Sequence, residues 1–179
     1  MMNQQFSFQI ERLKTPIGQM LIVTDREENV RAVDWTDCQE RLHRLLRIHY
    51  DQQSFTIERS QSSSKAAAAL DLYFQGELAA IDELTVKTGG TAFQPDVWSA
   101  LRSIPCGTTT SYAAVANRID RAAAIRAVGA ANGSNPVGVV VPCHRVIGSY
   151  GSLTGYAGGM ERKKWLLRHE RVHDREFRQ

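Results

Sequence analysis

The sequence is poor in cysteine, and its three cysteines, Cys38, Cys106 and Cys143, are not spaced as pairs. An odd, widely spaced set does not make the disulfide framework of a small secreted protein. The first residues contain no basic segment leading into an apolar one, so we expect no secretory signal. No stretch approaches the ~20 consecutive apolar residues that a membrane span requires. We therefore expect a protein of the reducing cytoplasm that does not contact a membrane.

Metal and cofactor motifs are also missing. Cys38, His43 and His49 lie near one another in sequence, but no fourth ligand follows at the spacing of a zinc site. The glycine-rich segment 154–159 is too irregular for a phosphate-binding loop. We expect neither a metal nor an organic cofactor, so any chemistry must come from side chains.

The charge is distributed unevenly along the chain. Residues 1–89 hold 10 Lys and Arg against 13 Asp and Glu, whereas residues 90–179 hold 12 against 6. The C-terminal half is therefore the candidate for binding a polyanion such as DNA. The alternative is a solvated basic tail, because four arginines lie near the C-terminus: Arg168, Arg171, Arg175 and Arg178.

The N-terminal half has the pattern of a small α/β domain. Alternation of apolar and polar residues predicts a strand at 6–10, and further strands are predicted at 20–23, 30–35 and 55–58. The first three are expected to form an antiparallel meander. Helical periodicity predicts helices at 37–50 and 65–75, the second starting after Ser64 and ending at Gly76. No chemical motif falls here, so we expect domain 1–89 to support domain 90–179.

The C-terminal half is predicted to be mainly helical, which makes the whole chain α+β. Thr91 is expected to cap a first helix that carries Phe93 to Ile104, and Thr110–Ser111 to cap a second at 112–119. An alanine-rich helix is predicted at 122–132 and a last helix at 161–171. The second and third helices, joined by a short polar turn, are typical of a helix-turn-helix. The small side chains of the third helix permit close approach to another helix or to the wall of a DNA groove.

The segment around Cys143 has the strongest chemical pattern. Val139–Val141 predicts a buried strand or extended core segment, which Pro142 ends. His144 and Arg145 follow the cysteine directly, and an imidazole and a fixed positive charge favour the nucleophilic thiolate form. The alternative is a cysteine that acts as a small buried hydrophobe.

Pro142–Gly148 resembles the active-site signature of the O6-alkylguanine-DNA alkyltransferases, also called methylated-DNA–protein-cysteine methyltransferases. The resemblance extends from about Thr91 to Glu170 and is weaker in the N-terminal half. It implies DNA repair by irreversible, single-turnover transfer of an alkyl group from a flipped-out O6-alkylguanine in duplex DNA to Cys143. O4-alkylthymine is a further candidate substrate. The sequence shows no sign of an oligomer, and we expect a monomer.

The resemblance also implies roles for individual residues. Glu170 would fix the tautomer of His144, which would take the thiol proton through a bound water, and Tyr112 would donate toward the departing oxygen. Arg126 would fill the gap left by the extruded nucleotide. The recognition helix and the turn after it would contribute the rest of the DNA-binding set: Ala127, Ala130 and Asn135, which braces the turn. The substrate pocket would contain Tyr156, Ala157, Gly158 and Val146.

The sequence departs from the family pattern at a few positions. Asp120, Ala122 and Ile125 stand where glycine, proline and alanine are more typical, which puts the start of the recognition helix in question. Ala157 stands where several relatives carry a hydroxyl residue, which implies a roomier pocket.

Three other functions fit parts of the sequence. A non-catalytic sensor of alkylated DNA would use the same scaffold, but such proteins carry tryptophan at the position of Cys143. A cysteine hydrolase needs oxyanion donors, and a thiol redox protein needs a resolving cysteine nearby, whereas the nearest in sequence is Cys106. A transcription factor needs base-reading polar side chains, which the alanines of the third helix do not offer.

Overall fold

The computed structural model describes residues 5–50 and 54–172. The chain divides into two compact units, Met1–Gly90 and Thr91–Gln179. Arg175 and Arg178 of the basic tail lie outside the described residues. Within the described ranges, no helix is long and apolar enough to cross a membrane.

The N-terminal unit is built on a four-stranded sheet. Its strands are β1 (Phe6–Thr15), β2 (Gly18–Asp25), β3 (Val30–Trp35) and β4 (Phe55–Arg59), in the order β3-β2-β1-β4. β1, β2 and β3 form the predicted antiparallel meander, with a register shift between Val23 and Thr24. β4 pairs in parallel with β1, so the sheet is mixed rather than wholly antiparallel. Local alternation predicts that a strand exists but does not specify its partner or direction.

Two helices pack on this sheet, α1 (Gln39–Tyr50) and α2 (Lys65–Phe74). The buried residues of α1 form one core with residues of the strands: Leu42, Leu46 and Tyr50 with Phe8, Leu21, Val23 and Ala32. The predicted start of α2 is confirmed, because Ser64 Oγ accepts a hydrogen bond from the Ala67 backbone N–H at 3.0 Å. Residues Met20 to Thr24 of β2 are buried without interruption, as in a strand covered on both faces.

The C-terminal unit is mainly helical. Its helices are α3 (Phe93–Arg102), α4 (Tyr112–Arg118), α5 (Ile125–Gly133) and α6 (Met160–His169), and its short parallel strands are β5 (Thr110–Ser111) and β6 (Val146–Ile147). α3, α4 and α5 contact one another. The Trp98 indole N–H donates to the Ala131 carbonyl at 2.9 Å, which fixes α3 against α5.

α4 and α5 are the two helices of the helix-turn-helix. Ser111 caps α4 as predicted, since its Oγ accepts from the Ala114 N–H at 3.1 Å. The prediction that the next helix begins at Ala122 is wrong, because α5 begins at Ile125. Asp120 takes a left-handed φ of 56°, and the Arg121 N–H donates back to the Ala116 carbonyl at 2.9 Å, which ends α4. The alanines at 122–124 therefore belong to the turn between α4 and α5.

The predicted cap of α3 is also wrong. The residue before its first turn is Ala92, which makes no side-chain capping bond. Thr91 instead donates its backbone N–H to Gln94 Oε1 at 3.0 Å, so the glutamine side chain supplies the acceptor at this end.

Val139–Val141 is buried, but it is not a strand. Two of its amides donate to carbonyls of the residues just before the segment: Val140 N to Gly138 O at 2.8 Å and Val141 N to Val137 O at 2.9 Å. Val139 has a left-handed φ of 68°, which is unusual for a β-branched residue. The apolar run therefore predicts burial correctly and backbone conformation wrongly, because local turns satisfy the donors that a strand would pair across a sheet.

Candidate active site

Cys143 begins a short 3-10 helix, Cys143–Arg145, directly after Pro142. Its backbone N–H donates to the Val141 carbonyl at 2.8 Å, so the preceding turn fixes the position of the residue. The side chain is nearly enclosed, with 7% of the residue exposed. All three cysteines lie among the described residues and carry thiols rather than disulfides.

The next two residues of this helix both contact one carboxylate. His144 Nε2 lies 2.8 Å from Glu170 Oε1, and the pair is fully buried. Arg145 reaches the same carboxylate with two donors, Nε to Oε2 at 2.8 Å and Nη2 to Oε1 at 3.0 Å. Its third contact is Nη1 to the Ile104 carbonyl at 2.6 Å. The C-terminal end of α6 is thereby tied to the segment that carries Cys143.

The charge of Glu170 is stabilised by these partners. Burial alone would raise the pKa of its carboxyl group, but the electrostatic interactions and hydrogen bonds with His144 and Arg145 outweigh burial. The pKa of Glu170 therefore lies far below its usual range, and the group is a carboxylate at neutral pH. A bidentate arginine also restricts the rotation of the carboxylate that holds His144.

The second ring nitrogen of His144 has no such partner. Within the described residues, His144 Nδ1 is buried and makes no hydrogen bond. Because a carboxylate only accepts hydrogen bonds, the proton of the neutral ring belongs on Nε2 and the lone pair on Nδ1. The imidazole is thus oriented to accept a proton through Nδ1.

Cys143 lines a cavity of about 310 Å³. The cavity is bounded by α4, α5, the loop before α6 and the cysteine itself, through Tyr112, Gly129, Asn132, Gly133, Cys143, Gly155, Tyr156 and Ala157. Tyr112 stands at its wall, and its hydroxyl is 3.2 Å from Thr154 Oγ1, either of which can donate. Three glycines and an alanine leave room for a flat ligand beside the sulfur.

The predicted pocket residues are only partly brought together. Tyr156 and Ala157 line the cavity, but Gly158 and Val146 are not among its lining residues. The Gly158 carbonyl accepts from Arg162 Nη1 at 3.0 Å, and the Val146 side chain is fully buried in β6. Asn132, which the sequence analysis did not select, does line the cavity, and its buried Oδ1 makes no hydrogen bond within the described residues.

The predicted DNA-binding residues fall into two groups. Arg126, Ala127 and Ala130 are exposed together on one face of α5, while Val128 and Ala131 are buried on the other. Asn135 is 1% exposed and presents no surface to a ligand, so its grouping with groove-contacting residues is corrected. Its side chain braces the turn: Nδ2 donates to the Val141 carbonyl at 2.8 Å and Oδ1 accepts from the Val137 N–H at 2.9 Å.

Lys163 is a second residue that the sequence analysis missed. It is fully buried, and its ammonium group donates to the backbone carbonyls of Val146 and Thr154. Helical spacing was the available signal, because Lys163 shares the buried face of α6 with Leu166, Leu167 and Glu170. A lysine at a position that periodicity assigns to the core requires carbonyl or carboxylate partners.

These features define a helix-turn-helix protein whose cysteine lines a cavity and is followed directly in sequence by the histidine of a buried His-Glu pair. Residues 92–172 match the family described as "6-O-methylguanine DNA methyltransferase, DNA binding domain". The chain is 49% identical over 160 residues to the methylated-DNA–protein-cysteine methyltransferase of Salmonella typhimurium, covering 89% of this chain and 94% of that protein.

Solved structures give the same result. The O6-methylguanine methyltransferase of Mycobacterium tuberculosis has a TM-score of 0.73 and 36% identity, covering 91% of this chain and 92% of that one. The M. tuberculosis protein in complex with DNA also has a TM-score of 0.73, with 34% identity and coverage of 91% and 93%. The chain belongs to the methylated-DNA–protein-cysteine methyltransferase family.

Proposed function

We propose that the chain repairs DNA by moving an alkyl group from O6 of guanine to the sulfur of Cys143 in one irreversible turnover. The observation that carries this proposal is the position of Cys143, whose side chain lines a cavity while the adjacent His144 is held by Glu170. Membership of the methyltransferase family supports the same reaction.

His144 is the proposed general base. Glu170 accepts from Nε2, which leaves the lone pair of the neutral ring on the buried Nδ1. We infer that the thiol proton of Cys143 passes to Nδ1 through one water molecule. The imidazolium that forms is then stabilised by the carboxylate beside it, as in other nucleophile-histidine-acid arrangements.

The displacement itself involves one bond made and one broken. The thiolate sulfur attacks the alkyl carbon on O6, a carbon-sulfur bond forms, and the electron pair of the broken carbon-oxygen bond stays on guanine. Tyr112 is the proposed donor of a hydrogen bond or proton toward that side of the base, since it stands on the cavity wall. The thioether offers no group that these residues can hydrolyse, so each molecule reacts once.

Duplex DNA containing O6-alkylguanine is the proposed partner. The DNA complex of the M. tuberculosis relative supports this, as does the excess of Lys and Arg in residues 90–179. A stacked guanine cannot reach an enclosed thiol, so the nucleotide has to be extruded from the duplex. Arg126 is proposed to enter the gap that it leaves, while Ala127 and Ala130 let α5 approach the groove closely.

We further propose that the protein acts as a monomer in a reducing compartment. Every residue assigned a chemical role belongs to the single unit Thr91–Gln179, so no second copy is needed to complete the site. The reaction also requires Cys143 as a thiol. The N-terminal unit supplies none of these residues, and its proposed role is support.

The reaction is tested by incubating the protein with duplex DNA that contains one O6-methylguanine and recording the intact protein mass. We expect a gain of one methyl group, located on Cys143 by peptide mapping and absent in Cys143→Ala. Cys106→Ala is the matched control, because Cys106 also follows a proline and lies outside the cavity lining. That variant should react like the wild type.

The other outcomes separate the competing functions. Binding of the methylated duplex without a gain in mass would favour a lesion sensor on the same scaffold. A methyl group located on Cys106 or Cys38 would overturn the assignment of Cys143. The same reaction with an O4-methylthymine duplex decides whether thymine lesions are also substrates.

A further inference from the structure

Lys163 is a buried cation that has no role in the reaction proposed above. It lies in the first turn of α6, and its side chain is among the largest fully buried ones of the protein, at 0% exposure. Lysine is almost never fully buried unless its ammonium group is paired. A lysine at this buried position therefore indicates a role for the ammonium group and not only for the aliphatic part of the side chain.

The ammonium group joins two segments that flank the cavity. Lys163 Nζ donates to the Val146 carbonyl at 2.6 Å and to the Thr154 carbonyl at 2.8 Å. Val146 begins β6, directly after the 3-10 helix that carries Cys143. Thr154 directly precedes Gly155, the first residue of the loop that lines the cavity. One side chain thus connects the segment that carries Cys143 to the loop that lines the cavity.

Lys163 also interacts with Cys143 through charge. Burial lowers the pKa of Lys163 to about 8, and the electrostatic interaction with Cys143 acts in the opposite direction. Such an interaction is mutual, so an ammonium group that is favoured by the thiolate favours the thiolate equally. The other cation of this cluster, Arg145, bonds to the carboxylate of Glu170.

We propose that Lys163 is a positioning residue of the alkyl transfer: its ammonium group holds the pocket loop against the Cys143 segment, and its positive charge favours the Cys143 thiolate. This inference rests on the proposed function, because it assigns Lys163 to the same site. It predicts that the sulfur is more reactive at neutral pH than an ordinary thiol, independently of DNA.

The first test measures the pH dependence of Cys143 alkylation by iodoacetamide, in a Cys38→Ser, Cys106→Ser background that leaves one reactive sulfur. We expect Lys163→Met and Lys163→Gln to move the midpoint of the rate upward by about one pH unit, which is a tenfold loss of thiolate near neutrality. Lys163→Arg keeps the charge and should restore most of the rate. Lys164→Met is the matched control, since that lysine pairs with Glu161 on the surface of α6.

The other ionisable groups around this site are the same in the wild type and in all three Lys163 variants, so they cannot produce the difference among these proteins. They are His144, Arg145 and Glu170 in the buried cluster, Tyr112 and Tyr156 at the cavity, and Glu161, Arg162 and Lys164 on α6. Lys163→Gln retains N–H donors for the two carbonyls without the charge. It therefore separates the electrostatic role from the bridging role.

A second readout is the rate of methyl transfer from the O6-methylguanine duplex. We expect Lys163→Met to lose more of this rate than Lys163→Gln, because only methionine removes both the charge and the donors. Lower melting temperatures in all three variants with unchanged alkylation midpoints would overturn the proposal and leave Lys163 a structural residue. If the variants do not fold, the test uses the wild-type residue at position 163. A pH midpoint of Cys143 alkylation equal to that of a free thiol then contradicts the charge role of Lys163.

The two proposals fail in different ways. A wild type that never gains a methyl group refutes the transfer function, while the iodoacetamide midpoints still report on Lys163. Conversely, methyl transfer that is unaffected in Lys163→Met leaves the function intact and refutes the inference about the lysine.

Discussion

Glu170 Oε1 lies 2.8 Å from His144 Nε2, although 26 residues separate the two in sequence. The contact is fully buried, and Arg145 Nε donates to the other oxygen of the same carboxylate, Oε2. A buried ion pair of this kind contributes less to stability than to orientation, because desolvation offsets most of the Coulomb attraction. Its proposed role is to hold the imidazole with Nδ1 available for the thiol proton.

Glu170→Gln should destabilise the protein strongly. Removing the carboxylate charge leaves the Arg145 guanidinium buried without a counter-charge, which typically costs about 3–5 kcal/mol. The shift of the urea unfolding midpoint measures the loss. Glu161→Gln is the control, because that side chain is 90% exposed and should change the midpoint little. Equal effects of the two substitutions would contradict the buried network.

The stability of the protein should fall in acid through the same residue. The pKa of Glu170 is lowered in the folded state by His144 and Arg145, against the opposing effect of burial, and its value in the unfolded chain is near 4.5. A carboxyl group with a lowered folded pKa stabilises the fold above the unfolded pKa and loses that contribution as pH falls below it. Melting temperatures should therefore be steady from pH 7 to about 5 and then decline steeply.

The acid decline can be assigned to Glu170 by comparing variants. Glu170→Gln should flatten the pH dependence below pH 5, whereas Glu161→Gln should leave it in place. A wild-type profile that is flat to pH 3 would show that the carboxylate is not stabilised as the geometry indicates.

Arg126→Ala should weaken the reaction on duplex DNA more than on free O6-methylguanine. The exposed guanidinium is proposed to occupy the space of the extruded nucleotide, and extrusion costs a few kcal/mol. We expect a loss on the order of tenfold or more with the duplex and little change with the free base. Arg118→Ala controls for charge alone, since Arg118 is an exposed arginine of α4 whose Nη1 donates to Ser103 Oγ at 2.8 Å. Equal losses on both substrates would count against insertion.

Asn135→Ala should loosen the segment before the reactive cysteine. The substitution removes the hydrogen bonds of the Asn135 side chain to the Val137 N–H at 2.9 Å and to the Val141 carbonyl at 2.8 Å. Each buried group left without a partner typically lowers the free energy of unfolding by about 1–3 kcal/mol. Cys143 depends on the same turn, because its own N–H donates to Val141. We expect a lower melting temperature and slower methyl transfer. Asn117→Ala on the exposed surface of α4 should change neither.

The sequence predicts elements well where local signals decide them. Ser64 and Ser111 cap α2 and α4 as expected, because a serine acceptor at a helix start is a local interaction. The direction of β4 depends on its pairing with β1, about fifty residues earlier, while the left-handed backbone of Val139 and Asp120 belongs to turns that periodicity does not describe. Periodicity and propensity contain no information about such partners.

The candidate site shows the same division. Placing Glu170 beside His144 came from the family resemblance, since no spacing rule brings together residues from a 3-10 helix and the end of α6. The family resemblance also implies that Val146 and Gly158 belong to the pocket, but neither is among the residues that line the cavity. The role of Lys163 was missed, although helical spacing alone places this residue on the buried face of α6.

The narrow access to Cys143 has a consequence for thiol chemistry in general. A sulfur that is 7% exposed and lies at a cavity of about 310 Å³ is easier to reach for a nucleobase or a small electrophile than for the cysteine of another folded protein. Cross-linking between two molecules through this residue is thereby disfavoured, even though the thiolate is the form that exchanges fastest. Because the sulfur can react only once, its enclosure also limits the loss of active protein to disulfide formation before a lesion is bound.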